Sequence, residues 1–164
     1  MKRKIIILLG VVIVGLIAVP FLVKERAKGG GPFKSYYPSG QLREVGRTKN
    51  GKLNGPFKSY YPSGHLKLEW TYRDGKKDGV AKFYFESGKL QAKVTYREDM
   101  SEGTSRFYFE NGKLQAEMNY RGGKLDGVSK TYHSSGEIIY IDHYENGEMK
   151  IRKPYNDKNK PGVK

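Results

Sequence analysis

The sequence predicts an all-β protein, an elongated antiparallel meander of five 24-residue β-hairpin repeats preceded by one N-terminal transmembrane helix. Three observations carry that reading. Glycines at 31, 55, 79, 103 and 127 open successive segments of equal length, and the block GPFKSYYPSG stands unchanged at 31–40 and 55–64. Within each segment, apolar and polar residues alternate on either side of a Ser-Gly or Asn-Gly turn, the period of a strand and not of a helix. Ahead of the repeats, Ile5 to Val23 is a run of 19 residues without a charge.

Taken from the N-terminus, residues 1–4 form a short basic segment with Lys2, Arg3 and Lys4. Residues 5–23 as a helix span about 28 Å, close to a hydrocarbon core of about 30 Å. The run exceeds a typical signal-peptide core, and no small-x-small cleavage site follows it, since Leu16 occupies the first small position before Ala18. The expectation is an uncleaved anchor; a cleaved signal is the competing reading. Lys24, Arg26 and Lys28 follow the run and are offset by Glu25, so the positive-inside bias is slight. It puts the N-terminus in the cytoplasm and the repeats on the extracytoplasmic side. Residues 24–30 then read as a linker ending in Gly29 and Gly30, directly before the unit-opening Gly31.

The repeats occupy 31–54, 55–78, 79–102, 103–126 and 127–150. A hairpin centred on Ser39-Gly40 sets Tyr37 opposite Leu42 and Phe33 opposite Gly46. The same register sets Phe57 against Trp70, Ala81 against Val94, Lys58 against Glu69, Arg106 against Glu117 and Lys82 against Lys93. Apolar and opposite-charge pairs that fall together are what cross-strand pairing favours; the lysine pair is the flaw in the pattern. Asn50-Gly51, Asp74-Gly75 and Asn146-Gly147 supply corners that tolerate positive φ, with Glu98-Asp99 in their place in unit three. This gives about ten strands, two per unit. Residues 151–164 carry two prolines and little apolar content, and read as a basic disordered tail.

These units have a recognisable cycle. Tyr60-Tyr61-Pro62-Ser63-Gly64-His65-Leu66 is followed by Tyr72 and by Asp74-Gly75 through Gly79. The cycle returns as Tyr84, Gly88, Leu90, Tyr96 and as Tyr108, Gly112, Leu114, Tyr120, with Gly40, Leu42, Gly136 and Tyr144 at the matching places in the outer units. The pattern resembles the MORN repeat (membrane occupation and recognition nexus), and more closely the bacterial variant found in antitoxin-like proteins. Unit one departs with Thr48 in place of Tyr, and unit five with His133 and Ile138. The resemblance implies a β-repeat fold and leaves the activity open, because such repeats occur beside unrelated functions.

Net charge is +14, yet residues 1–28 contribute +5 and 150–164 another +5, leaving 19 basic and 15 acidic side chains, +4, between them. A mixed-charge body behind a membrane anchor argues against a nucleic-acid-binding domain. The absence of cysteine excludes disulfides, thiolate metal sites and a thiol nucleophile, and no catalytic sequence signature occurs. No enzyme activity and no cofactor are expected. Alternation places Phe33, Tyr37 and Leu42 on an apolar face that curvature, a partner segment or the tail would cover. The other face carries Lys34, Lys58, Lys82, Arg106 and Lys130 beside Tyr36, Tyr60, Tyr84, Tyr108 and Tyr132. That stripe suits phospholipid headgroups, a glycan or an acidic partner; equally, the tyrosines would pack along the sheet and the lysines remain a solvated face over their own stems.

The expectation is therefore a membrane-anchored, non-catalytic interaction module of a bacterial cell envelope, with an unknown protein partner. The alternatives are an antitoxin-like or immunity protein that neutralises a toxin by direct binding, and an anionic-lipid-binding module. Exposed edge strands at units one and five leave self-association open.

Overall fold

The structure, a computed structural model, describes residues 29–155. The anchor at 5–23 and the end of the tail lie outside the described residues. Among the described residues no helix is long and apolar enough to cross a membrane.

Unit one contributes β1 (Gly30–Tyr36), β2 (Leu42–Lys49) and β3 (Lys52–Leu53). Unit two follows with β4 (Gly55–Tyr60), β5 (Leu66–Arg73) and β6 (Lys76–Lys77), and unit three with β7 (Gly79–Tyr84), β8 (Leu90–Arg97) and β9 (Met100–Ser101). Unit four has β10 (Gly103–Tyr108), β11 (Leu114–Arg121) and β12 (Lys124–Leu125), and unit five β13 (Gly127–Tyr132), β14 (Ile138–Glu145) and β15 (Glu148–Pro154). All belong to one antiparallel sheet of fifteen strands, in which the eleven longer strands follow in chain order and β3, β6, β9 and β12 each pair only with the strand before them. The meander is as the sequence predicts, but each unit has three strands and not two. After the corner at Asn50-Gly51 the chain folds back on its own second strand, Thr48 opposite Leu53 and Lys49 opposite Lys52, before leaving for the next unit.

The hairpin register holds from Gly30 to Ser35, with Phe33 opposite Gly46 and Ser35 opposite Glu44, and then slips by one. Tyr36, not Tyr37, lies opposite Leu42. The loop causes the slip: the Tyr37 N–H donates to the Gln41 carbonyl at 2.8 Å and the Gly40 N–H to the Tyr37 carbonyl at 2.9 Å. That closed loop leaves Arg43 as the extra residue of a bulge. The same slip recurs in the other four units.

Every pair of neighbouring units meets at two places, and some pairs meet at a third. In the middle, only two residue pairs bridge them, as with Glu44–Ser59 and Val45–Lys58. At the short-strand end, the turn N–H of one unit donates to the preceding unit's short strand, Gly75 to Leu53, Asp99 to Lys77, Gly123 to Ser101 and Gly147 to Leu125, all at 2.8–2.9 Å. At the hairpin end, the hydroxyls of Tyr37 and Tyr61 donate to the carbonyls of Tyr60 and Tyr84 at 2.7 and 2.8 Å. Units three and four carry Phe85 and Phe109 there, and Asn111 instead reaches the Ser134 carbonyl at 3.0 Å.

The tail reading is corrected in part. Ile151 to Pro154 are not disordered: they belong to β15, which lies along β14 from Glu145–Glu148 to Tyr140–Pro154. The reason is local. The 24-residue period calls for a unit-opening glycine at 151, where Gly55, Gly79, Gly103 and Gly127 turn the chain with φ of 71–103°. Ile151 disfavours that conformation, so the chain runs straight and ends the array. Arg152 then forks onto buried Asp142, Nε at 2.9 Å and Nη2 at 2.8 Å.

The core is one face of a single sheet. Phe57, Leu68, Ala81, Ala92, Val94 and Ala116 are its buried apolar residues, joined by Ser35, Ser105, Ser129 and Asp142. Cross-strand partners share a face, so one column reads Phe33/Gly46, Phe57/Trp70, Ala81/Val94, Ser105/Met118 and Ser129/Asp142. Aromatic bulk is concentrated in units one and two. Phe57 stacks on Trp70 at 5.9 Å, meets Tyr72 edge-on at 5.8 Å and lies 6.4 Å from Phe33. Gly46 opens the space for this cluster, since a Cβ there would come within 2.9 Å of Phe33 and 3.0 Å of Phe57.

Candidate interaction surface

The register places the sequence-derived stripe in one row across the sheet. Direct partners run Lys34–Val45–Lys58–Glu69–Lys82–Lys93–Arg106–Glu117–Lys130–Ile141–Lys153. Equivalent residues stand two strands apart, about 10 Å. The row holds seven cations and two carboxylates, whereas the next row, on the buried face, runs Ser35–Glu44–Ser59–Leu68–Phe83–Ala92 and on to Pro154 with Glu44 its one charge. The strand alternation therefore sorts charge by face.

Ion pairs knit part of the row. Glu69 accepts from Lys82 at 3.0 Å and from the Tyr84 hydroxyl at 3.0 Å, and stands 3.6 Å from Lys58. The Lys82 hydrogen bond does most to hold the Glu69 carboxyl below its usual value, and burial works against it. Arg106 reaches Glu117 at 2.9 Å. Lys93 lies between Lys82 and Arg106, the partner of both, and has no carboxylate of its own among the described residues. A shallow cleft open to solvent lies beside Lys58, Glu69 and Lys82, with Pro56, Thr71 and Val80 around it.

The tyrosine column flanks this row. Tyr36, Tyr60, Tyr84, Tyr108 and Tyr132 each end the first strand of a unit and pair with Leu42, Leu66, Leu90, Leu114 and Ile138. Tyr36 is the most open, 54% exposed. Burial, first, raises the phenols of Tyr84 and Tyr132. The residues expected to serve the repeat divide between the hairpin loops and the ends of the longer strands. Gly40, Gly64, Gly88, Gly112 and Gly136 close the hairpin loops through their N–H groups. Tyr72, Tyr96, Tyr120 and Tyr144 stand opposite the unit-opening glycines Gly55, Gly79, Gly103 and Gly127, and burial raises all four phenols.

Two features escaped sequence reasoning. One is the Asp142–Arg152 clasp, whose signal was an acid at the position held by Gly46, Trp70, Val94 and Met118 in the other units. The other is the seat of Lys77, whose ammonium lies 5.2 Å from the Trp70 ring and 4.6 Å from that of Tyr96.

Two of the three imidazoles are tied up in hairpin loops, and the third, His143, lies within β14 opposite Val128 and Ile151. His65 meets the Glu86 carbonyl, and His133 Nδ1 lies 3.0 Å from the Ser135 hydroxyl. Ser135 donates to Glu137 at 3.2 Å, so the carboxylate binds the serine and not the imidazole, the reverse of what a nucleophilic triad requires. Among the described residues no three His, Asp or Glu side chains gather closely enough to hold a metal ion.

A fifteen-stranded ladder of near-identical hairpins, with one charged and one buried face, defines a β-repeat protein. Comparison with known families finds the MORN repeat variant five times, at residues 30–50, 53–74, 77–98, 101–121 and 125–146. The chain belongs to that family. No curated protein matches it.

Proposed function

We propose that the repeats are a non-catalytic interaction module, held at a bacterial membrane by residues 5–23 and presented on its extracytoplasmic side to a protein partner of the cell envelope. The facial sorting of charge carries this reading. A solvated surface needs no order, yet here the cations align in one row beside a tyrosine column, while the opposite face is buried. Tyrosines that are amphipathic and a row of cations are suited to recognition, and the recurring junctions between units fix their spacing.

The test is crosslinked affinity capture of the tagged full-length protein from native membranes. One strain carries only residues 1–30, and another carries Lys34, Lys58, Lys82, Arg106 and Lys130 all changed to Glu. A stoichiometric protein present only with intact repeats, and lost on charge reversal, is the expected result. Capture that survives charge reversal unchanged removes the row from the reading.

A further inference from the structure

We propose that Lys93, with Arg106 and Tyr108, is a docking site for a carboxylate side chain of an acidic protein segment. The inference rests on the interaction-module reading and deepens it by naming the partner's chemistry and the place where it docks. Three observations converge on the site.

The five units are near copies, and the residue opposite the row's first cation is Val45, Glu69, Lys93, Glu117 and Ile141 in turn. Glutamate is the choice that serves folding, as Glu69 and Glu117 demonstrate by pairing with their neighbours. Lys93 does the opposite. It sets three cations side by side on β7, β8 and β10, and like charges placed directly opposite oppose folding. Folding gains nothing from this lysine.

Its neighbours turn away from it. Lys82 is drawn to Glu69 and Arg106 to Glu117, on the far side in each case. The Lys93 ammonium thus stands exposed between two cations that are engaged elsewhere. Arg106 still has guanidinium N–H groups to offer, because its bond to Glu117 uses Nε.

Unit two contains the occupied version of the same arrangement. There Glu69 takes hydrogen bonds from Lys82 and from the Tyr84 hydroxyl. The equivalents one unit on are Arg106 for Lys82, Tyr108 for Tyr84 and Lys93 for Glu69. The protein therefore repeats both donors and replaces the acceptor with a third donor. A carboxylate brought by another chain fills the vacancy left by the missing glutamate, and takes its bonds from Lys93, Arg106 and Tyr108. Charge-assisted bonds of this kind are roughly twice as strong as neutral ones. Glu69 is a side chain on an extended strand, so an acidic peptide is the partner that reproduces its approach.

The experiment uses the full-length protein in detergent and a fluorescent hexaglutamate peptide read by anisotropy. Wild type is expected to bind, and Lys93→Glu to weaken binding by about tenfold or more, equivalent to ~1.4 kcal/mol or above. Lys93→Glu restores the residue found in units two and four, so its urea midpoint is expected to equal or exceed that of wild type. Tyr108→Phe is expected to weaken binding by about threefold, in line with one lost hydrogen bond. Lys49→Glu makes the same charge change on an exposed residue at the end of β2 and is expected to leave binding within about twofold. No binding by wild type, or equal loss in Lys93→Glu and Lys49→Glu, overturns the proposal. Tighter Lys93-dependent binding of oligogalacturonate or tripolyphosphate overturns the peptide assignment. Either failure leaves the capture experiment standing, since that reverses five cations along the row, of which only Arg106 belongs to this site, and keeps Lys93.

Discussion

Replacing Phe57 with alanine tests whether one aromatic cluster secures the N-terminal half of the ladder. Phe57 is 9% exposed and touches Phe33, Trp70 and Tyr72 through ring contacts of 5.8–6.4 Å. Phe→Ala changes in closed cores cost ~3–5 kcal/mol, and aromatic pairs add roughly 0.5–1.5 kcal/mol each. In a single sheet, water enters the gap and no sealed cavity remains, which places the cost near the low end, about 3 kcal/mol. With a urea slope of about 2 kcal/mol per M, the midpoint falls by about 1.5 M. The assay is a urea titration followed by circular dichroism and by the emission of Trp70, the single tryptophan. Phe33→Ala is the control: Phe33 is half-buried and has one ring neighbour at 6.4 Å. Its midpoint is expected to fall by less than half as much. A drop below about 0.5 M in Phe57→Ala, or a larger drop in Phe33→Ala, refutes the assignment of the core to this cluster.

Other expectations follow from the junctions and ion pairs. Tyr37→Phe and Tyr61→Phe each remove one hydroxyl-to-carbonyl bond and are expected to cost about 1 kcal/mol, whereas Phe85→Tyr gains a comparable amount by reaching the Tyr108 carbonyl; thermal denaturation of the three variants checks the signs. Arg152→Ala leaves Asp142 buried and unpaired and is expected to cost about 2 kcal/mol, less than a fully buried pair because Arg152 is partly open to solvent; rapid hydrogen exchange confined to β14 and β15 is the companion signature. Glu69 titrates below its usual 4.5 chiefly because Lys82 donates to it, so its stabilisation is present above that value and is lost as pH falls through the lowered one. Urea midpoints measured from about pH 6 to about pH 3 should therefore fall less in Glu69→Gln than in wild type, and parallel falls would show that the pair contributes nothing.

Much of the fold was legible because the sequence states it five times. Pairs such as Phe57–Trp70 and Lys58–Glu69 emerge from the period and the turn alone, and both occur in the structure. What stayed hidden depends on backbone hydrogen bonds that carry no side-chain signature. The loop closed by Tyr37 and Gly40 moves Leu42 from Tyr37 to Tyr36, and pairing of Leu53 with Thr48 adds a third strand to the unit. Composition misled at the C-terminus, where two prolines, little apolar content and basic residues from Arg152 onward read as a solvated tail. The decisive residue was Ile151, whose place in the period, more than its hydropathy, identified a strand. In the surface row, the Lys82–Lys93 pair was visible as a flaw in the register. The structure keeps it and adds Arg106, which turns a flaw into a cluster.

The closing strand gives the molecule a direction. Each unit rests on its predecessor through the same two-pair bridge and the same turn N–H bond, and β15 occupies the place where another unit would begin. Gain or loss of 24 residues upstream of that stop changes length by about 10 Å and leaves both termini chemically the same. The chain behaves as a gauge whose graduations are set by gene length: one mark more or fewer alters the span of the sheet without redesigning any joint. Successive duplication, of which the identical segments 31–40 and 55–64 bear the imprint, is therefore a low-cost way to tune how far such a protein extends.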